Sequence, residues 1–159
     1  MNAKGSVLIT GCSNGSIGSG LALAFQQRSY QVFATARNID KMSDLKELPD
    51  LKLMQLDVLC PESIHAAVNA VAEKTGGILS VLVNNAGSFH CMPLLDDDIE
   101  AAKKTFDTNV WGPLALTKAF APLLMKGRGT LVNITSIAGH NAMPYSGKKV
   151  LSKIPTGYY

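Results

Sequence analysis

The chain has 159 residues, of which 47% are hydrophobic and 17% are charged. This length favours a single domain with a buried core, and the composition excludes a disordered chain. The formal net charge of +3 comes from dispersed lysines and arginines, which argues against binding to nucleic acid.

Strand-like and helix-like segments alternate along the chain. Short apolar runs predict strands at 6–10, 30–35, 51–56, 79–83 and 130–135. Helical patterns lie between them, at 21–25, 40–47, 61–74 and from the acidic run at Asp96 to Met125, the last with an interruption at Gly112–Pro113. Five strands alternating with helices indicate an α/β fold whose parallel sheet is covered on both faces.

A glycine-rich turn joins the first strand to the first helix. It reads Thr-Gly-Cys-Ser-Asn-Gly-Ser-Ile-Gly from Thr10 to Gly18. Glycines at 11, 15 and 18 would let a phosphate approach backbone N–H groups, and the helix dipole would attract its charge. A plain glycine turn is the alternative, but the position between a buried strand and an apolar helix favours a dinucleotide site. The turn lacks the Lys-Ser/Thr ending of a P-loop, which disfavours a nucleoside triphosphatase.

The second strand runs into Arg37. In a dinucleotide-binding fold this position lies beside the adenosine ribose, where an acidic residue would bind the 2′-hydroxyl of NAD(H). A guanidinium would instead pair with the 2′-phosphate of NADP(H), and no acid follows before Asp40. NADP(H) is therefore the predicted cofactor, ahead of NAD(H). A solvated arginine that closes the strand is the alternative.

A set of motifs resembles the short-chain dehydrogenase/reductase family in order and spacing. It comprises the glycine turn, Asp57-Val58, Asn84-Asn85-Ala86-Gly87, Asn109 in Asn-Val-Trp-Gly, and Ser136 after the fifth strand, and it covers about residues 5–140. Cys12-Ser13 and the string Gly-Thr-Leu-Val-Asn-Ile-Thr-Ser-Ile-Ala-Gly at 129–139 look most like the fungal NADPH-dependent 1-acyldihydroxyacetone-phosphate reductases. The resemblance implies a Rossmann-like, doubly wound parallel sheet with strand order 3-2-1-4-5.

The resemblance also implies roles in cofactor binding. Asp57 would accept a hydrogen bond from the adenine amino group, and residues 84–87 would line the cofactor ribose and pin the centre of the sheet. Ser16 departs from the family, which usually has glycine there, and its side chain would either crowd the phosphate or add a hydroxyl donor. The cofactor residues implied are Gly11, Ser13, Gly15, Ile17, Gly18, Arg37, Asp57, Val58, Asn84, Ala86 and Gly87.

The catalytic part of the family pattern is incomplete. By resemblance, Ser136 would donate a hydrogen bond to the substrate carbonyl, and Asn109 would bind backbone and help to hold a water of a proton relay. The family chemistry also needs a tyrosine that protonates the carbonyl and a lysine four residues later. Tyr145 and Lys149 have this mutual spacing, but Tyr145 lies too close to Ser136, which it should follow by roughly thirteen positions. The catalytic tyrosine and lysine are therefore predicted to be missing.

The family likeness stops after Gly147. Residues 1–147 are predicted to be an incomplete dinucleotide-binding domain and residues 148–159 a tail foreign to the family. In the family, the missing remainder supplies the active-site helix, two further strands, the substrate loop and the dimer helices. We therefore expect a truncated product in which one face of the fourth and fifth strands lacks its cover.

The sequence thus predicts an NADP(H)-dependent oxidoreductase that reduces a carbonyl or oxidises an alcohol and is impaired by truncation. A lipid-like ketone such as acyl-dihydroxyacetone phosphate is the substrate that the resemblance implies. A non-catalytic dinucleotide-binding fragment and an unstable fragment without function are the two alternatives. The expected partner is a small molecule, not nucleic acid, and the absence of the dimer helices leaves the oligomeric state open.

Cysteines and histidines bear on compartment and metal content. Cys12, Cys60 and Cys91 form no CxxC pair, and an odd number without a secretory segment indicates a reducing, intracellular location. By resemblance this would be the cytoplasm, or the periphery of the endoplasmic reticulum or of lipid droplets. The cysteines are interpreted as small buried side chains. The histidines are too dispersed for a metal site, and no apolar run is long enough for a transmembrane helix.

Overall fold

A computed structural model of the chain describes residues 3–89 and 92–137. Tyr145, Lys149 and the predicted tail 148–159 lie outside the described residues, as does Cys91.

The centre of the molecule is a five-stranded parallel sheet. Its strands are β1 (Ser6–Thr10), β2 (Gln31–Ala36), β3 (Leu51–Gln55), β4 (Val81–Asn84) and β5 (Thr130–Asn133). They lie in the order β3-β2-β1-β4-β5, and every neighbouring pair is parallel. The predicted Rossmann-like, doubly wound topology is confirmed. The chain reverses its winding direction between β1 and β4, which is where open α/β sheets bind ligands.

Helical segments connect the strands. The α-helices are α1 (Ile17–Gln26), α2 (Pro61–Thr75), α3 (Ile99–Phe106) and α4 (Gly112–Gly127). The described residues also form two 3₁₀ segments, Ile39–Leu45 and Leu94–Asp96, and a π-helical turn, Asp107–Trp111. No helix in the described ranges combines the length and the apolar character needed to cross a bilayer.

The ends of the helices follow from their local sequence. Pro61 stands in the first turn of α2, where its missing N–H costs no hydrogen bond, and Gly76 ends the helix with φ +66°. The side chain of Asp98 caps α3 by accepting a hydrogen bond from the N–H of Ala101 at 2.9 Å. Of the acidic run predicted to open this helix, Asp98 is thus the cap, whereas Asp96 ends the preceding 3₁₀ turn.

A buried apolar layer covers each face of the sheet. Leu8 and Phe33 contribute to one layer, together with residues of α2 and α4. Val7, Ile9 and Val32 contribute to the other, together with α1 and the 3₁₀ segment. Because β1 is buried on both faces, it needs an uninterrupted apolar run, which is the pattern that identified it in the sequence.

The structure differs from the predicted interruption at Gly112–Pro113, since the helix α4 starts at Gly112 and runs through both residues. The irregular backbone lies just before, in the π-helical turn Asp107–Trp111. Pro113 is tolerated because the first turn of a helix needs no N–H donor there. A Cβ on Gly112 would lie 2.9 Å from Cγ2 of Val58, so this glycine permits close packing of α4 on the loop after β3.

Burial decreases towards the β5 edge of the sheet. Leu82 on β4 is fully buried, whereas Leu131, its register partner on β5, is 39% exposed. Val83, on the opposite face of β4, is also buried. The expectation that strands four and five both lack cover is therefore wrong for β4, which α4 and the α1 side of the sheet enclose, and it applies to β5.

Candidate functional site

A cleft of about 360 Å³ opens where the strands β1, β2, β3 and β4 end. The loops that follow these four strands supply nearly all of its walls, as expected at the switch point of a doubly wound sheet. Its lining residues are Gly11, Ser13, Ser16, Ile17, Ala36, Arg37, Leu56, Asp57, Val58, Leu59, Asn85, Ala86, Gly87, Ser88 and Thr108.

Most of the cofactor residues that the sequence implied meet in this cleft, although they come from four separate segments of the chain. Those that line it are Gly11, Ser13, Ile17, Arg37, Asp57, Val58, Ala86 and Gly87. Gly15, Gly18 and Asn84 do not line it. Asn85, Ser88 and Thr108 line it without having been predicted individually; Asn85 stood inside a quoted motif, but nothing in the local sequence marked Ser88 or Thr108.

Glycine is needed for different structural reasons at the three glycine positions of the turn. A Cβ on Gly11 would lie 2.9 Å from Cα of Ala86, and a Cβ on Gly18 would lie 2.5 Å from the carbonyl oxygen of Gly11. Both positions are therefore glycine so that the turn can pack against itself and the loop after β4. Gly15 has φ +71° and open space around its missing side chain. That these three glycines also let a phosphate approach the backbone stays a prediction.

Thr10 and Asn85 fasten the turn to the loop after β4. The hydroxyl of Thr10 accepts hydrogen bonds from the N–H groups of Asn85 at 3.0 Å and Ala86 at 2.9 Å. The side-chain amide of Asn85 donates in return to the carbonyls of Thr10 at 2.7 Å and Gly11 at 3.0 Å. Two walls of the cleft are thereby held together by hydrogen bonds that do not involve a ligand.

Ser16, the departure from the family pattern, is the N-cap of α1. Its hydroxyl oxygen accepts a hydrogen bond from the N–H of Ser19 at 3.1 Å and donates its proton to the carbonyl of Gly11 at 3.1 Å. The single hydroxyl proton is thus used inside the turn. In this arrangement the hydroxyl stabilises the start of the helix.

The start of α1, which reaches the cleft at Ser16 and Ile17, has unused hydrogen-bond donors. Within the described residues, the backbone N–H groups of Gly15, Ile17 and Gly18 have no hydrogen-bond partner. The first turn of α1 contains no acidic residue, so the positive end of its dipole is not neutralised locally. Unused N–H donors at a helix start match the acceptor oxygens of a pyrophosphate, and the residues present therefore fit the phosphates of a dinucleotide.

The other end of the cleft carries Arg37 and Asp57. Arg37 is exposed, and no carboxylate in the described part of the chain lies within ion-pair distance of its guanidinium. Asp57 is fixed by three hydrogen bonds. Its N–H donates to the hydroxyl of Ser63 and one carboxylate oxygen accepts from the N–H of Leu59, both at 3.0 Å, and its carbonyl accepts from the N–H of Cys60 at 3.2 Å. A cation and a held acceptor thus flank the region where an adenosine ribose would lie.

Asn109 is buried in the π-helical turn and holds the loop after β4. Its amide accepts a hydrogen bond from the N–H of Ser88 at 2.8 Å and donates to the carbonyl of Ser88 at 3.0 Å. Asn109 therefore acts on the cleft through Ser88, which lines it. Single π-helical turns often occur at functional sites. Ser136 follows β5, at the same end of the sheet, and is half-buried outside the cleft lining.

Asn84 is placed in the sheet rather than in the cleft. Its side chain is 4% exposed and donates to Oδ1 of Asn133 at 2.9 Å and to the hydroxyl of Thr117 at 3.3 Å. It thus links β4 to β5 and α4, which is the sheet-pinning role that the resemblance implied for this motif, while Ala86 and Gly87 adjoin the cleft.

Cys12 and Cys60, the cysteines among the described residues, do not line this cleft. Cys12 is fully buried, its thiol donates to the carbonyl of Ile9 at 3.3 Å, and burial raises its pKa to about 12. It therefore stays protonated at neutral pH. Cys60 is only half-buried and donates to the carboxylate of Glu62 at 3.1 Å, so the predicted burial is correct for Cys12 and wrong for Cys60. Across the described ranges, no group of three His, Cys, Asp or Glu side chains is arranged to hold a metal ion.

The sequence matches the family model described as short chain dehydrogenase over residues 5–150. The chain belongs to the short-chain dehydrogenase family. Among its relatives, Short-chain dehydrogenase ptmH of Penicillium ochrochloron is 51% identical over 132 residues, 83% of this chain and 49% of that protein. The NADPH-dependent 1-acyldihydroxyacetone phosphate reductase of Schizosaccharomyces pombe is 39% identical over 153 residues, 96% of this chain and 51% of that protein. This short-chain dehydrogenase chain spans about half the length of these curated relatives.

Solved structures of the family share the fold. A short-chain dehydrogenase from Streptomyces avermitilis superposes with a TM-score of 0.86 at 29% identity, over 96% of this chain and 56% of that one. A short-chain dehydrogenase from Mycobacterium smegmatis superposes with a TM-score of 0.83 at 24% identity, over 95% of this chain and 66% of that one.

Proposed function

We propose that this chain binds NADP(H) in the cleft, as the nucleotide-binding part of an oxidoreductase that interconverts a carbonyl compound and an alcohol. The observation that carries the proposal is the pairing of two features in one cleft. Unused N–H donors stand at the start of α1, and Arg37, without a carboxylate partner in the described residues, stands at the end of β2. The first suits any dinucleotide, and the second suits a 2′-phosphate.

The cofactor would supply the chemistry, by transferring a hydride at its nicotinamide ring. In this proposal the turn Gly11–Gly18 binds the pyrophosphate, Asp57 accepts from the adenine amino group, and Ala86 and Gly87 lie along the ribose. Ser136 would donate to the substrate carbonyl, and Asn109 keeps the loop at Ser88 in place. The S. pombe relative is an NADPH-dependent 1-acyldihydroxyacetone phosphate reductase, and this likeness supports both the cofactor and a lipid-like ketone as substrate.

Equilibrium titration with NADPH and NADH tests the cofactor. A charged hydrogen bond contributes about 1.5–3 kcal/mol, so Arg37→Ala should weaken NADPH binding by about tenfold to a hundredfold while changing NADH binding little. Arg28→Ala is the matched control, because Arg28 is an exposed arginine that follows α1 and bonds the carbonyl of Ala24. It should leave both affinities unchanged. Equal affinity of the unaltered chain for both nucleotides would remove the NADP(H) preference.

Turnover is tested separately from binding. NADPH oxidation is followed with a panel of ketones that includes acyl-dihydroxyacetone phosphate, and Ser136→Ala should abolish any ketone-dependent rate without changing nucleotide affinity. Nucleotide binding without turnover would establish a non-catalytic dinucleotide-binding chain instead of an enzyme.

A further inference from the structure

The tip of the glycine turn is tied to the segment that follows Arg37. Asn14 makes three hydrogen bonds to the 3₁₀ segment Ile39–Leu45. Its N–H donates to the carbonyl of Lys41 at 2.7 Å, its side-chain amide donates to the hydroxyl of Ser43 at 2.7 Å, and its amide oxygen accepts from the N–H of Asp44 at 3.3 Å. One side chain thus connects two segments that are 29 positions apart in sequence.

The tied segment continues directly from Arg37. Asn38 follows, and its side chain caps the segment by accepting from the N–H of Asp40 at 2.9 Å. Met42 and Leu45 anchor the underside of the segment in the core, where both are fully buried. The bonds from Asn14 hold its exposed side, so the backbone leading out of Arg37 is fixed from two directions.

A backbone hydrogen bond also connects the turn to β2. The N–H of Cys12 donates to the carbonyl of Thr35 at 2.9 Å. Ser13 lies between Cys12 and Asn14, the two residues that make these hydrogen bonds, and it lines the cleft together with Arg37. The separation of Ser13 and Arg37, which would bracket a ribose 2′-substituent, is thereby set by the bonds on either side of Ser13. Asn14 itself does not line the cleft.

We infer that Asn14 is a positioning residue that holds Arg37 and its loop against the glycine turn, and so sets the selectivity of the cleft for a 2′-phosphate without touching the nucleotide. This inference rests on the proposed function. It assigns to Asn14 an effect on the ratio of NADPH to NADH affinity, whereas a role in stability alone would weaken the binding of both nucleotides to the same degree.

The test measures dissociation constants for NADPH and NADH in the full chain, with Asn14→Ala and Ser43→Ala. Asn14→Ala removes both side-chain bonds and should raise the NADPH constant about tenfold while the NADH constant changes less than about twofold. Ser43→Ala removes one bond and should shift the ratio in the same direction by a smaller factor. It also decides the matter if Asn14→Ala does not fold, because both partners of that bond are exposed.

A double-mutant cycle with Arg37→Ala separates positioning from general loosening. If Asn14 acts through Arg37, Asn14→Ala in the Arg37→Ala background should no longer alter the ratio of the two constants. Equal weakening of both nucleotides by Asn14→Ala, or an unchanged ratio in both Asn14→Ala and Ser43→Ala, would overturn the inference while leaving the proposed function intact. An unaltered chain that does not prefer NADPH would overturn both.

Discussion

Gly18 and Gly20 lie two positions apart in α1, yet only Gly18 is required by its surroundings. A Cβ on Gly18 would lie 2.5 Å from the carbonyl oxygen of Gly11 and 2.6 Å from the side-chain nitrogen of Asn85. A Cβ on Gly20 would meet no atom within 4 Å. The same substitution should therefore have opposite effects on stability at the two positions.

We expect Gly18→Ala to lower the free energy of unfolding by about 1–3 kcal/mol, since the backbone of the turn must shift to admit the methyl group. Gly20→Ala should raise it by about 0.5–1 kcal/mol, because alanine loses less backbone entropy on forming a helix. Urea denaturation of both variants measures the difference. Similar values for the two would contradict the packing of the turn against the loop after β4.

The glycines of the turn, Gly11, Gly15 and Gly18, also show what a sequence reveals about single residues. Their spacing after an apolar strand predicted a dinucleotide turn, and most of the implied positions do line one cleft. The reason for Gly18 could not be predicted, because it depends on Asn85, which is 67 positions away and packs against the turn only once β4 has paired with β1. The hydrogen bonds of Asn14 could not be predicted for the same reason, since the sequence around an asparagine in a turn does not indicate its hydrogen-bond partners.

At the scale of elements, β5 differs from the strand beside it. Leu82 on β4 and Leu131 on β5 are register partners in a parallel pair, so their side chains point to the same face of the sheet. Leu82 is fully buried and Leu131 is 39% exposed. The free energy that each leucine contributes should differ accordingly.

We expect Leu82→Ala to lower the free energy of unfolding by about 2–5 kcal/mol, the range for a fully buried leucine. Leu131→Ala should cost less than about 1.5 kcal/mol, because much of its side chain already contacts water. Chemical denaturation of the two variants gives both values. Equal losses would mean that β5 is covered as completely as β4.

The positions of the strands were predictable because buried parallel strands need continuous apolar runs. The incomplete cover of β5 was foreseen only through the family likeness, and the same argument wrongly included β4. Thr130–Asn133 has an ordinary strand composition, and its exposure depends on which elements pack beside it. The π-helical turn Asp107–Trp111 was likewise read as a helix with a break at Gly112–Pro113, because hydrophobic periodicity does not resolve one widened turn.

For the whole molecule, the cleft couples nucleotide binding to the stability of most of the sheet. Its walls come from the loops after β1, β2, β3 and β4, while no residue of β5 lines it. A ligand that binds only the folded state stabilises it by RT ln(1 + [L]/Kd), about 2.7 kcal/mol at a hundredfold excess over Kd. Bound nucleotide should therefore slow the hydrogen exchange of only those amides whose exchange requires the cleft to open.

Native-state hydrogen exchange can therefore divide the sheet into two parts. Amides of β1 and β2, which are buried almost throughout, should exchange by global unfolding and slow about a hundredfold when NADPH is at a hundredfold excess over its Kd. The amide of Thr130 on β5, which donates to the carbonyl of Ser80 at 2.8 Å, should exchange by local opening of the edge and slow far less. In Arg37→Ala at the same NADPH concentration, the slowing of β1 and β2 should shrink with the loss of affinity. Equal slowing of Thr130 and β1 would show instead that β5 opens only when the whole sheet unfolds, and that the exposed face of Leu131 does not weaken its strand.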